Sequence, residues 1–136
     1  MTLFLARVDR GENRMDWVRA GHDPAILYDP DTDSFSSLDD AKGIPLGISK
    51  DAVYTASSCD VKSGQIIFLG TDGIWEARNA EGKLFGKERL QQVIHTNSRE
   101  SARTIVLSVL DAVEEFRGRE EQEDDLTLVI TKLTDD

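Results

Sequence analysis

Disulfides, membrane spans and basic tracts are all missing from this sequence. There is one cysteine, Cys59, in 136 residues, so no internal disulfide can form and a reducing cytoplasmic setting fits. No apolar run approaches the roughly 20 residues that a membrane span needs, and the first residues carry no signal-peptide pattern. Lys and Arg number 16 against 26 Asp and Glu, a formal net charge of −10. That balance argues against nucleic acid and anionic membrane as partners, because both are bound by basic surfaces. Much of the excess acid serves solubility. Three prolines and nine aromatic residues (two Trp, two Tyr, five Phe) leave ample aliphatic material for one modest core.

What is present is a set of short apolar runs that end at turn residues. Residues 2–9 and 14–20 read as a hairpin about Asp9-Arg-Gly-Glu-Asn13. Ala25 to Tyr28 is a short third strand, Asp29-Pro-Asp-Thr-Asp33 breaks the chain, and Ser34 to Leu38 returns as a weak strand. Asp29 to Ser34 has the beginning of a calcium loop, but Ser34 stands where glycine is required and Asp40 where the closing Glu belongs, so a solvated hairpin turn is the better reading. Ala52 to Cys59 and Gln65 to Leu69 are expected to form a hairpin through Val61-Lys-Ser-Gly64.

The second half turns helical. Gly86 to about Ile94 reads as a short helix. Ala102, Ile105, Val106, Val109, Leu110, Val113 and Phe116 then recur at spacings of three and four, an amphipathic helix. Asn97 and Glu100 are the expected N-terminal cap pair and Gly118 the stop. Arg117 to Asp125 is too polar for core. Leu126 to Leu133 alternates as a last strand.

The most informative stretch is Gly64 to Arg78. Its apolar run Ile66–Leu69 stops at Gly70-Thr-Asp-Gly73, and a second acidic pair, Asp124-Asp125, precedes the final strand. Two strands that each present a carboxylate at one end place hard oxygen ligands side by side, which suits Mg²⁺ or Mn²⁺ better than zinc. Taken alone, Asp72 reads more readily as a turn aspartate bonding its own backbone than as a metal ligand, and Asp124 and Asp125 more readily as the end of the solvated run Glu120-Glu-Gln-Glu123. His22 reads as a turn histidine bonded to neighbouring backbone, Trp17 and Trp75 as packing residues, and Cys59 as a buried small residue.

Three further segments stand in order with these: Ala20-Gly-His-Asp-Pro-Ala-Ile-Leu27, Gly43-Ile-Pro-Leu-Gly47 and Asn79-Ala-Glu-Gly-Lys-Leu-Phe-Gly-Lys-Glu-Arg-Leu90. With Thr71-Asp-Gly73 and Asp124-Asp-Leu-Thr127 they resemble the bacterial serine phosphatases of the sporulation stage II E type, relatives of the metal-dependent type 2C protein phosphatases. The resemblance implies an α/β fold of the α+β type: an antiparallel sheet sandwich with helices packed outside, in the four-layer phosphatase architecture. It implies Asp72 and Asp124 as metal ligands, with Gly73 and Asp125 beside them and no catalytic group beyond the ligands. It implies hydrolysis of phosphoserine or phosphothreonine by a two-metal-activated water, with Mn²⁺ or Mg²⁺ as cofactor. It further implies a phosphorylated protein substrate of the anti-sigma-factor-antagonist kind and a place in bacterial signalling.

The family's early Gly-Asp and Asp-x-x-Gly-x-Gly segments, which carry its remaining carboxylates, have no counterpart in this sequence. Residues 1–136 are therefore expected to be one partial phosphatase domain with the upstream half absent, and the isolated chain to be inactive. The alternative is a non-catalytic protein-binding or scaffolding fragment of a signalling protein. A strand such as Leu3–Val8, left at an edge, invites self-association.

Overall fold

The alternating half of the sequence forms two antiparallel sheets, which meet over a shared aliphatic layer. The computed structural model describes residues 1–135. The first sheet takes β1 (Leu3–Asp9), β2 (Arg14–Ala20) and β5 (Ser57–Asp60) in the order β1-β2-β5. The second takes β3 (Ala25–Asp29), β4 (Ser34–Leu38), β6 (Ile66–Gly70) and β7 (Leu128–Lys132) in the order β4-β3-β6-β7. Two helices, α1 (Gly86–Thr96) and α2 (Ala102–Arg117), cover the second sheet.

Period-two alternation divides each strand between two cores. In β2, Met15 and Trp17 face inward and meet Ala25, Leu27, Leu38 and Ile67 from the second sheet. The other residues of β3 and β6, namely Ile26, Tyr28, Ile66 and Phe68, face the helices. There they meet Leu90 and Ile94 of α1 and Ile105, Val109 and Val113 of α2. These five helix residues are at most 1% exposed, and burying each large side chain stabilises by about 1.5–3 kcal/mol. The result is sheet on sheet on helices, an α+β arrangement in which the first sheet's outer face carries exposed Leu3 and Leu5.

Several expectations are corrected. Residues 52–60 and 65–69 are not a hairpin. β5 pairs with β2, whereas β6 pairs with β3 and β7, so the chain crosses from one sheet to the other at Val61–Gly64. Residues 52–56 form no strand. The N-cap of α2 is Ser101, whose Oγ accepts from the Thr104 N–H at 3.1 Å. Asn97 instead closes α1, its side-chain amide donating to the Val93 carbonyl at 2.8 Å. The expected stop is in place: Gly118 adopts φ 66° and donates to the Glu114 carbonyl, a backbone shape that glycine takes without strain. β7 begins at Leu128, two residues later than its apolar pattern. Cys59 is only half-buried; burial and nearby Asp60 push its thiol pKa up.

Gln65 ties the turn before β6 to the end of β3. It is 6% exposed. Its Nε2 donates to Asp29 at 3.0 Å and its Oε1 accepts from the Lys62 N–H at 2.9 Å.

Candidate functional site

Strand register decides which side chains share an end of the second sheet. Gly70 at the end of β6 pairs with Leu128 at the start of β7. The pairing extends one step beyond the strands, where the Thr71 N–H donates to the Thr127 carbonyl at 3.0 Å. Thr71 Oγ1 donates to the Asp125 carbonyl at 3.3 Å and accepts from the Thr127 N–H at 3.3 Å. Asp72 and the Asp124-Asp125 pair therefore leave adjacent strands at the same end of the sheet.

Beyond Thr71 the chain makes one tight turn, with the Glu76 N–H donating to the Asp72 carbonyl at 2.8 Å. Gly73 is buried in that turn. A Cβ there would lie 2.5 Å from the Asp125 carbonyl oxygen and 3.5 Å from the Asp124 Cβ. Only glycine lets the two acidic segments approach this closely, which is a packing reason for the Asp-Gly pairing.

The three carboxylates are exposed. Among the described residues none of them has an ion-pair partner. Asp124 turns one oxygen back onto the Asp125 N–H at 2.8 Å. On the helix side of Asp124 lies a cleft of about 240 Å³ lined by Gly73, Glu76, Arg78, Arg117 and Glu123. In kind, these donors suit a hard divalent cation: carboxylate and backbone oxygens, although Arg78 and Arg117 line the same cleft. In number they fall short. Among the described residues no three His, Cys, Asp or Glu side chains form a group able to hold a metal ion.

His22 is where the turn reading put it, its Nδ1 lying 2.9 Å from the Asp23 carbonyl oxygen. His95 Nε2 sits 3.2 Å from Asp33, a long-range contact that its local sequence does not signal. Sequence reasoning passed over Arg19, a buried arginine in line with Met15 and Trp17. The alternation of β2 was the available signal for its inward face.

The arrangement of strands and helices is that of the PP2C phosphatase domain. The SiaA PP2C domain of Pseudomonas aeruginosa superposes with a TM-score of 0.78 at 20% identity, over 97% of this chain and 51% of that one. The phosphatase domain of the cell fate determinant SpoIIE from Bacillus subtilis, in a Mn-presoaked crystal, gives 0.72 at 17% identity, over 99% and 57%. The sequence agrees. The chain belongs to the stage II sporulation protein E (SpoIIE) family, whose model matches residues 1–134. Phosphoserine phosphatase RsbU of Bacillus subtilis (strain 168) is 30% identical over 132 residues, which is 97% of this chain and 38% of that protein. The chain thus spans well under half the length of this relative and about half of the solved domains.

Proposed function

We propose that these residues form part of a metal-dependent phosphoserine/phosphothreonine protein phosphatase in bacterial signalling. The observation that carries the reading is the pairing of Asp72 with Asp124 at one end of neighbouring strands, inside a chain of the SpoIIE family. Asp72 and Asp124 would offer carboxylate oxygens to Mn²⁺ or Mg²⁺. Asp125 stands beside them and orients the turn through its carbonyl, while Gly73 keeps the two segments in contact. When bound, a pair of such ions activates water for direct attack on phosphorus. The chain's own part is to hold and orient, since none of its side chains is assigned a proton-transfer role.

The substrate we propose is a phosphorylated protein of the anti-sigma-factor-antagonist kind, in the cytoplasm, as the family resemblance implies. Among the described residues no helix is long and apolar enough to cross a membrane. We further propose that residues 1–136 are one part of a larger phosphatase domain. Two carboxylates and water hold Mg²⁺ weakly, with affinity on the order of millimolar, because the ion gives up its own waters reluctantly. Without firmly held ions the nucleophile is neither generated nor positioned.

The test is Mn²⁺-dependent hydrolysis of p-nitrophenyl phosphate. The isolated chain should stay at background. A longer form containing the upstream carboxylate motifs should turn over, and Asp72→Asn should abolish that turnover. Turnover unaffected by Asp72→Asn would refute the assignment. A second reading, a protein-binding fragment that associates through its edge, is favoured by one feature. Among the described residues β1 is an edge strand paired with β2 alone, with Leu3 and Leu5 exposed. Edge pairing of this kind would appear as a concentration-dependent dimer in sedimentation.

A further inference from the structure

The rung that joins β6 to β7 just beyond their last paired residues is built irregularly. Gly70 pairs with Leu128, so the next facing residues are Thr71 and Thr127. In a hydrogen-bonded antiparallel pair each residue donates to the other and accepts from it. Half of that exchange is made, the Thr71 N–H donating to the Thr127 carbonyl at 3.0 Å. The Thr71 carbonyl has turned away. It accepts from the Ile74 N–H at 3.2 Å and opens the turn that carries Asp72 and Gly73. The Thr127 N–H donates instead to Thr71 Oγ1 at 3.3 Å. The hydroxyl stands in for the carbonyl, so the chain enters the Asp72 turn and still holds the segment that leads into β7.

The same hydroxyl has a proton to give. It donates to the Asp125 carbonyl at 3.3 Å. The Asp125 N–H in turn donates to Asp124 Oδ1 at 2.8 Å. Hydrogen bonds therefore run from Thr71 through residue 125 to the Asp124 carboxylate, while Asp72 follows Thr71 directly in the chain. Residues 121–127 form neither helix nor strand, so no regular ladder sets where Asp124 stands. Gly73 permits the two segments to touch; the Thr71 hydroxyl bonds them.

We propose that Thr71 is a positioning residue for the candidate cation site, its hydroxyl setting the Asp124 carboxylate relative to Asp72. The proposal rests on the phosphatase reading above and adds to it a residue that acts through Asp124. A hydroxyl is the group required, because it accepts and donates at once, whereas a carbonyl only accepts. Valine keeps the β-branched shape of threonine and loses both bonds. Serine keeps both. Partners that orient a metal ligand typically change affinity by about 10–100-fold. Thr71 acts one residue removed, so the low end of that range is expected.

The test reads the clamp and its consequence separately. Amide hydrogen exchange at Thr127 in the metal-free chain reports the clamp, and calorimetric titration of Mn²⁺ reports the cation site. In the wild type the Thr127 N–H should be protected, although Thr127 is exposed and lies outside β7. Thr71→Val should exchange roughly tenfold faster at Thr127 and bind Mn²⁺ about tenfold more weakly. Its melting should stay cooperative, since the buried layers are untouched. Thr71→Ser should restore both protection and affinity. Wild-type Mn²⁺ affinity in Thr71→Val would overturn the proposal and leave the phosphatase reading standing. So would a wild-type Thr127 N–H that exchanges freely, a result that decides the matter even if Thr71→Val does not fold. Equal loss of affinity in Thr71→Val and Thr71→Ser would assign the effect to the methyl group and also overturn it. Protection at Thr127 with no Mn²⁺ binding in the wild type sinks the phosphatase reading and the positioning role together, leaving the clamp a feature of the fold alone.

Discussion

The two ends of the four-stranded sheet both carry clustered aspartates, and they treat them in opposite ways. At the β3–β4 end every carboxylate has a partner. Asp29 accepts from Gln65 and pairs with Lys62 at 3.1 Å. Asp31 pairs with the same Lys62 at 3.0 Å. Asp33 accepts from the Tyr28 hydroxyl at 2.9 Å and faces His95. At the β6–β7 end Asp72, Asp124 and Asp125 have no cationic partner among the described residues. One end spends its carboxylates on holding a turn against helix α1. The other leaves oxygens free while packing the segments that bear them as closely as glycine permits. Like charges left unpaired destabilise, and it is at this end that the proposed cation would supply the balancing charge.

Four substitutions sharpen that contrast. The largest effect belongs to neither end. Val109→Asp would place a carboxylate in the fully buried layer that both ends share. Lost apolar burial and an unpaired buried charge together should exceed about 4 kcal/mol and leave no cooperative melting transition. A variant that kept its melting temperature would show that this helix face is not core.

Gly73→Ala comes next. Its Cβ would collide with a backbone carbonyl that cannot swing aside, so overpacking of about 1–3 kcal/mol is expected. Mn²⁺ binding should weaken along with it, read by thermal melting and calorimetry on the same sample.

Asp29→Asn should cost about 1 kcal/mol, measured by urea denaturation. It should also change the acid limb. Burial alone would raise the Asp29 pKa, but hydrogen bonds from Gln65 and Lys62 outweigh it and hold the carboxyl below its usual value. A carboxyl with a lowered folded-state pKa contributes stability above its unfolded pKa of about 3.9, lost as pH falls through the folded value. The wild type should therefore lose stability below about pH 4 more steeply than Asp29→Asn does.

The smallest effect is Asp72→Asn, which should leave stability within about 0.5 kcal/mol of wild type, or raise it slightly, because no partner is lost. A large loss there would erase the difference between the two ends.

Much of this was legible because it is local. The period of β2, the three- and four-residue spacing along α2, and the halting of an apolar run at Thr71-Asp72-Gly73 are each written within a dozen residues. What escaped is long-range or competitive. Nothing near Val61–Gly64 tells that the two flanking strands belong to different sheets, since β5 finds its partner in β2, some 40 residues earlier. Asn97 and Ser101 are both good N-caps, and the choice fell to Ser101 because Asn97 was taken by the end of α1. Gln65 and His95 owe their roles to Asp29 and Asp33, more than 30 residues away. At the site, Asp72 and Asp124 could be picked out as a pair from strand ends, whereas Arg19, whose inward face the alternation of β2 signalled, was passed over.

The central claim is that a divalent cation belongs at the end whose carboxylates are unpaired. Calorimetric titration of Mn²⁺ into wild type, Asp72→Asn, Asp124→Asn and Asp29→Asn tests it most directly. The account predicts weak binding in the wild type, on the order of millimolar, retained in Asp29→Asn and lost in both Asp72→Asn and Asp124→Asn. Binding that survives in all four proteins, or that disappears only with Asp29, would contradict it.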